Sequence, residues 1–273
     1  MTRIAVIGGG RIGEALIAGL LESGRANKDL VVVEPVPARA EALADRFGIR
    51  ATDDIADAGK SADLIVIAVK PNDVDAVLTE LGKAELGAAD HDQVLVSLAA
   101  GVTTARMESK LPAGFPVVRV MSNTPMLVGQ GMSAIAPGRY ARKEQLGLVT
   151  EMLESVGKAV TVSEAQMDAV TAVSGSGPAY FFLIVEAMID GAVGLGLTRD
   201  VATQLVTQTM LGSAALLEES GQSAVELRAA VTSPAGTTAA GLRELERGAV
   251  RSAFHDALHA AKRRSAELGA IAD

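Results

Sequence analysis

The chain has 273 residues, 49% of them hydrophobic, and carries 25 Lys and Arg against 33 Asp and Glu for a net charge of −8. That length and apolar content suit two domain cores, and an acidic chain without a basic run is not built for nucleic acid or an anionic membrane. There is no Cys, which excludes disulfides and thiolate chemistry and agrees with a reducing, cytoplasmic setting.

Ile4-Ala5-Val6-Ile7 has the length and composition of a buried strand. No leader is expected, because the N-terminus enters this strand with no basic and apolar segments ahead of it. Gly8, Gly10 and Gly13 follow with G-x-G-x-x-G spacing, and Ile12, Leu16, Ile17 and Leu20 then mark one helical face. In a dinucleotide site the first glycine makes the tight turn, the second admits a pyrophosphate, and the third packs helix on strand. The phosphates then meet free N–H groups, including those near Arg11 and Ile12, at the positive end of the helix. The alternative is a glycine turn that only joins strand to helix.

Gly24 reads as a helix stop. Leu30–Val33 is a second strand, ending at Glu34, and Ala38–Phe47 reads as helix. Thr52 is positioned to cap a short helix before Asp63. Leu64–Val69 is a continuous apolar run, as in a strand covered on both faces. Asp73–Leu81 reads as helix, Gln93–Leu98 as strand, Thr103–Lys110 as helix and Val117–Met121 as strand. Met132–Ala136 and Lys158–Val162 are weaker strands around the helix Arg142–Ser155. This alternation predicts an α/β fold with a parallel sheet and right-handed crossovers.

From Ser163 onward there is no strand pattern. Ser163 with Gln166, and Ser223 with Glu226, have capping-box spacing. Thr198 is placed to cap a long helix reaching about Ser220, and Pro178 suits a first helical turn. The boundary is therefore expected near residue 160, with a dinucleotide-binding domain over 1–160 and an all-helical one over 161–273. Ala179–Leu197 is the most apolar long window, but Glu186 and Asp190 lie inside it. It reads as a buried helix, not a membrane span. A helix apolar all round is buried, here by a partner chain as well.

Glu34 ends the second strand about 20 residues beyond the glycines, where an acid bonds the ribose hydroxyls and repels a 2′-phosphate. That leans towards NADH over NADPH; the alternative is an exposed turn carboxylate. Ala68-Val69-Lys70-Pro71, Ser97-Leu98-Ala99-Ala100-Gly101 and Ser122-Asn123-Thr124-Pro125 all follow strands, at the edge where doubly wound sheets bind ligands. Lys70 is equally a surface lysine before a proline, and Asn123 equally an ordinary turn residue. Ser174-Gly175-Ser176-Gly177-Pro178 and Ser233-Pro234-Ala235-Gly236-Thr237-Thr238 each set small hydroxyls before a helix. Free N–H groups there suit a carboxylate, although plain helix caps would look the same. His255 and His259 have ligand spacing without a third ligand, so no metal is expected.

Together these residues resemble the Δ1-pyrroline-5-carboxylate reductase family along the whole chain. The resemblance rests on GGGRIGEALIAGL near the start, AVKP at 68–71, NTP at 123–125, GSGPAYFF at 175–182 and, most specifically, VTSPAGTTAAGLRELE at 231–246. It implies an N-terminal Rossmann-type domain with a doubly wound sheet and a helical domain that dimerises, with rings of dimers in some members. The implied reaction is NAD(P)H reduction of a cyclic imine carboxylate to proline. By the same resemblance, Ser233, Gly236, Thr237 and Thr238 hold the pyrroline, with Ser176 nearby and the Thr238 hydroxyl on the ring nitrogen. Gly8, Gly10, Arg11, Ile12 and Gly13 hold the pyrophosphate, while Val69, Lys70, Pro71, Ala99, Ala100 and Asn123 flank the nicotinamide half. The chain departs from the family at Ser122, often Pro, and at Glu34-Pro35, often a small polar residue and Arg. A related β-hydroxyacid reductase is expected to use a lysine in the helical domain, and residues 180–246 contain none. A related imine reductase and a non-catalytic NAD(P)-binding regulator are the other readings.

Overall fold

The computed structural model describes residues 2–84, 86 and 92–272. Eight strands form one sheet: β1 (Ile4–Ile7), β2 (Leu30–Val33), β3 (Arg50–Thr52), β4 (Leu64–Ile67), β5 (Val94–Ser97), β6 (Val117–Met121), β7 (Gly131–Pro137) and β8 (Gly157–Thr161). Their spatial order is β3-β2-β1-β4-β5-β6-β7-β8. The first six are mutually parallel in the order of a Rossmann sheet, which reverses direction between β1 and β4.

The helices α1 (Arg11–Glu22), α2 (Pro37–Phe47), α3 (Ile55–Lys60), α4 (Val74–Lys83), α5 (Thr104–Glu108) and α6 (Lys143–Glu154) cover both faces. Successive residues of β1 divide between two cores. Ile4 and Val6 pack with Leu16, Ile17 and Leu20 of α1 and with Val149, Met152 and Leu153 of α6. Ala5 and Ile7 pack with Val77, Leu78 and Leu81 of α4 and with Met107 of α5. Strands buried on both faces must be apolar at every position, which is why these runs lack alternation.

The sheet is not wholly parallel as expected: β7 runs antiparallel to β6. The connection 122–130 holds only one 3-10 segment, Thr124–Val128, and is too short for a crossover. From β7 to β8 the helix α6 intervenes, and that pair is parallel. β3 also escaped the sequence reading, since an edge strand of Arg-Ala-Thr has no apolar run. Thr52 therefore ends a strand instead of capping a helix. Asp54 caps α3, accepting from Asp57 N at 2.9 Å, while Thr52 Oγ1 accepts from Asp54 N at 3.1 Å.

The chain forms two compact units, Met1–Ser176 with Ala261–Asp273, and Gly177–Ala260. The second unit holds α8 (Gly177–Gly194), α9 (Arg199–Glu219), α10 (Ala224–Ala230), α11 (Thr237–Arg247) and the start of α12 (Val250–Ala272). Thr198 caps α9 and the Ser223–Glu226 capping box starts α10, both as expected. α8 and α9 pack through Val185, Ile189, Ala192, Ala202 and Val206. Within the chain, α8 buries only Gly177 and Ile189, so its own chain supplies little of the burial expected for this helix. Phe181, Phe182 and Leu183 are 55%, 66% and 65% exposed. An exposed apolar patch of that kind is characteristic of an interaction surface.

Candidate active site

Val33, Ile7, Ile67 and Ser97 stand in register at the ends of β2, β1, β4 and β5. The next residue of each strand extends the same edge. Gly8 N donates to Val33 O at 2.9 Å, Ala68 N to Ile7 O at 2.8 Å and Leu98 N to Ile67 O at 2.9 Å. Glu34, Gly8, Ala68 and Leu98 therefore line one rim, the carboxyl edge where such sheets take their ligands.

The three glycines at this rim have three different reasons to be glycine. Gly8 has φ +109, and a Cβ there would lie 2.8 Å from Ala68 O and 3.0 Å from Val69 Cγ1. A Cβ on Gly13 would overlap the Gly8 carbonyl oxygen, so α1 can approach β1 only through glycine. Gly10, at the N-cap of α1, has ordinary extended backbone and nothing within 4 Å of its Cβ position. No side chain caps α1, so its first N–H groups, exposed Arg11 and half-buried Ile12 among them, are outside the helical ladder. Glycine at position 10 has no steric reason within the chain, and it borders open space at a positive helix end. That is the cradle a pyrophosphate requires.

Glu34 is buried, 4% exposed, against the expectation for a turn carboxylate. Its Oε2 accepts from Gly9 N at 3.1 Å and Oε1 from Val36 N at 3.0 Å. Arg39, whose side chain is half exposed, reaches Oε2 with Nη1 at 3.3 Å. The carboxylate is thus tied to the glycine loop itself, a role for Gly9 that spacing alone did not reveal. A Cβ on Gly9 would collide with the end of Leu43 and lie 3.1 Å from Glu34 Oε2.

Val69 follows β4 beside Gly8, and Lys70 is an exposed residue at the start of the 3-10 turn Pro71–Asp73. Ala99 is buried and Ala100 exposed beyond β5. Asn123, beyond β6, uses both ends of its amide within the chain. Oδ1 accepts from Met132 N at 2.8 Å, and Nδ2 donates to Ser174 O at 3.1 Å. Ser174 lies in a π-helical turn, Thr171–Gly175, that follows the short helix α7 of Met167–Val170 and ends as Ser176 N donates to Thr171 O at 2.8 Å. Such turns are rare and gather at functional sites. Here a Cβ on Gly175 would overlap the Met121 methyl. Asn123 thereby clamps the loop that carries Ser176. No periodicity marks a π turn, so sequence reasoning could not place it.

In the second unit Ser233, Gly236, Thr237 and Thr238 come together at the start of α11. Gly236 is its N-cap and donates to Ser233 O at 3.0 Å, and no side chain caps the helix. Three N–H groups and several hydroxyls gather there, a donor set for a carboxylate. Ala235 holds φ +58, a left-handed conformation unusual for alanine. His255 and His259 have rings 4.4 Å apart on exposed turns of α12, and among the described residues no group of three or more acidic or histidine side chains converges.

Comparison with known proteins agrees with this arrangement. A family model for pyrroline-5-carboxylate reductase dimerisation matches residues 164–268, and one described as NADP oxidoreductase, coenzyme F420-dependent, matches residues 3–101. A pyrroline-5-carboxylate reductase of Mycobacterium leprae is 53% identical over 98% of this chain and 97% of its own. The solved pyrroline-5-carboxylate reductase of Coxiella burnetii superposes with a TM-score of 0.94 at 37% identity, covering 98% of both chains. The Plasmodium falciparum pyrroline carboxylate reductase, solved with NADP bound, gives 0.85 at 28% identity and the same coverage. With relatives matching at full length and both of its parts matched in order, the chain belongs to the pyrroline-5-carboxylate reductase family.

Proposed function

We propose that this chain reduces 1-pyrroline-5-carboxylate to L-proline with a reduced nicotinamide dinucleotide, the closing step of proline biosynthesis. The observation that carries the reading is the contrast between two of the chain's uncapped helix starts, those of α1 and α11. The start of α1 is cradled by glycines beside open space, and the start of α11 is surrounded by hydroxyls. The first fits a pyrophosphate and the second a small carboxylate. Bound at the sheet edge, the dinucleotide supplies the hydride.

The rest falls to this chain's residues. Gly8, Gly10, Arg11, Ile12 and Gly13 hold the pyrophosphate, and Val69, Lys70, Pro71, Ala99 and Ala100 flank the nicotinamide ribose. Asn123, expected on that half, spends its amide on Met132 N and Ser174 O and so acts at one remove, by holding the loop that carries Ser176. Ser233, Gly236, Thr237 and Ser176 bind and orient the substrate. The Thr238 hydroxyl hydrogen-bonds the ring nitrogen, polarising C=N where charge changes during reduction. Orientation supplies much of the remaining acceleration, so no histidine or acid is required. In functional terms residues 1–160 bind the dinucleotide, and 161–273 serve substrate binding and dimerisation. The exposed apolar face of α8 supports a homodimer, and rings of dimers extend the same proposal. The setting is cytoplasmic.

Glu34 bears on the choice of dinucleotide. A buried carboxylate held by two backbone N–H groups cannot turn away cheaply, and its charge opposes a 2′-phosphate. The reading is therefore NADH ahead of NADPH. Parallel initial rates with both test it: a higher kcat/KM for NADH is expected. A preference for NADPH would mean that Arg39 takes the phosphate and that Glu34 serves only to brace Gly9. No turnover with either would overturn the reductase reading.

A further inference from the structure

The β5–α5 loop has a neighbour far away in sequence. Residues 261–273 belong to the first compact unit, although the earlier turns of α12 belong to the second. Ser265, buried at 9% exposure, donates its hydroxyl to Asp168 Oδ1 at 2.7 Å across 97 residues of sequence. One turn on, a Cβ built on Gly269 would lie 3.5 Å from Gly101 O. Gly101, with φ +77, is the residue after Ala99 and Ala100. Asp168 sits just beyond Glu164, which pairs at 2.5 Å with Arg119, a side chain 6% exposed that stands in register beside Ser97 of β5. Gly101, Arg119, Glu164, Asp168 and Gly269 line an open cleft of about 280 Å³.

Nothing about packing one helix end against a loop and a short helix requires these polar groups. Burying a serine hydroxyl is unfavourable unless it is bonded, and a hydrogen bond to a carboxylate is directional and strong. Such a bond sets the helix in one register, and that register brings Gly269 onto Gly101.

We propose that the last turns of α12 are a positioning element of the cofactor half. Ser265 and Gly269, acting through Asp168 and Gly101, hold the Ala99–Gly101 loop in the shape that receives the nicotinamide ribose. This rests on reading Ala99 and Ala100 as flanking that ribose. Neither Ser265 nor Gly269 contacts a reacting atom in this scheme.

The test uses the full chain with Ser265→Ala, Ser265→Thr and Gly269→Leu. Dissociation constants for NADH and NADPH are read by nicotinamide fluorescence, alongside the KM for pyrroline-5-carboxylate and the urea midpoint. Ser265→Ala should raise both dinucleotide constants roughly tenfold, as the loop loses the bias towards its receiving shape that this part-buried hydrogen bond supplies. The imine KM should stay within about twofold, a split that general loosening does not produce. Ser265→Thr, which keeps the hydroxyl, should restore binding. Gly269→Leu presses on Gly101 without touching the hydrogen bond and should weaken dinucleotide binding likewise; it carries the test if Ser265→Ala does not fold. Dinucleotide constants unchanged in the variants, or rising together with the imine KM as the urea midpoint falls, would overturn the proposal. Wild-type protein that binds neither dinucleotide would overturn the nicotinamide reading beneath it.

Discussion

Replacing Gly10 and Gly13 by alanine, one at a time, separates the two things the glycine loop does. In Gly10→Ala the new methyl meets nothing within 4 Å, and the backbone there, φ −74 and ψ −175, suits alanine. The only intrinsic loss is a poorer N-cap, about 0.5–1 kcal/mol. On the proposed reading, the methyl stands where a pyrophosphate oxygen would come to the first N–H groups of α1. Losing one hydrogen bond to a charged group costs about 1.5–3 kcal/mol, so the dinucleotide constant should rise roughly 10- to 100-fold. In Gly13→Ala the methyl overlaps the Gly8 carbonyl, a backbone atom that cannot rotate away. The helix must move off the strand, at about 1–3 kcal/mol or more of overpacking. Urea denaturation and dinucleotide fluorescence on both variants make the assay. Gly10→Ala should be nearly as stable as wild type and bind poorly, and Gly13→Ala should be clearly destabilised. Tight binding by Gly10→Ala would refute the assignment of that open space to phosphate.

Other expectations follow from single residues. Thr238→Ala should lower kcat/KM by roughly 100- to 1,000-fold, the range for one positioned donor, with the urea midpoint unchanged and much of the rate kept in Thr238→Ser; full activity in Thr238→Ala would remove the hydroxyl from the scheme. Ala235→Gly should stabilise the second unit by about 1 kcal/mol in a denaturant titration, because alanine at φ +58 is strained and glycine is not. The Asp75 carboxyl is held below its ordinary range first by its hydrogen bond from Arg106, then by the charges of Arg106 and Lys110. A carboxyl lowered by folding contributes stability above its ordinary range, and the contribution is lost as the pH falls through that range and below. Asp75→Asn should therefore lower the urea midpoint at pH 7, with a smaller gap from wild type near pH 3. A gap that grows on acidification would contradict this.

How much could be read from the chain alone depended on how local each cause is. β1, β2, β4 and β5 are apolar runs because both faces are covered, so they were legible to within a residue or two. β3 was not, because a three-residue edge strand carries no buried run. Nor was the direction of β7, which follows from the shortness of the 122–130 connection. From the sequence the cap of α3 reads as Thr52, but the coordinates of the turn put it on Asp54. At the site, Gly8, Gly10 and Gly13 announced themselves by spacing. The Gly9 N–H on Glu34, the Asn123 clamp on Ser174 and the Ser265–Asp168 bond join residues 25, 51 and 97 apart. Nothing periodic links such positions. The apolarity of α8 was legible in the sequence, but whether its own chain would cover it was not.

The most direct test of the reductase reading is to run the reaction with pyrroline-5-carboxylate and nicotinamide dinucleotides deuterated at C4 on either face, and to locate the label in the product by mass spectrometry and NMR. Proline deuterated at the ring carbon beside nitrogen and away from the carboxylate, from one of the two labelled faces, is the expected result. Substrate consumed without label in the ring, or no proline from folded protein, would contradict the account.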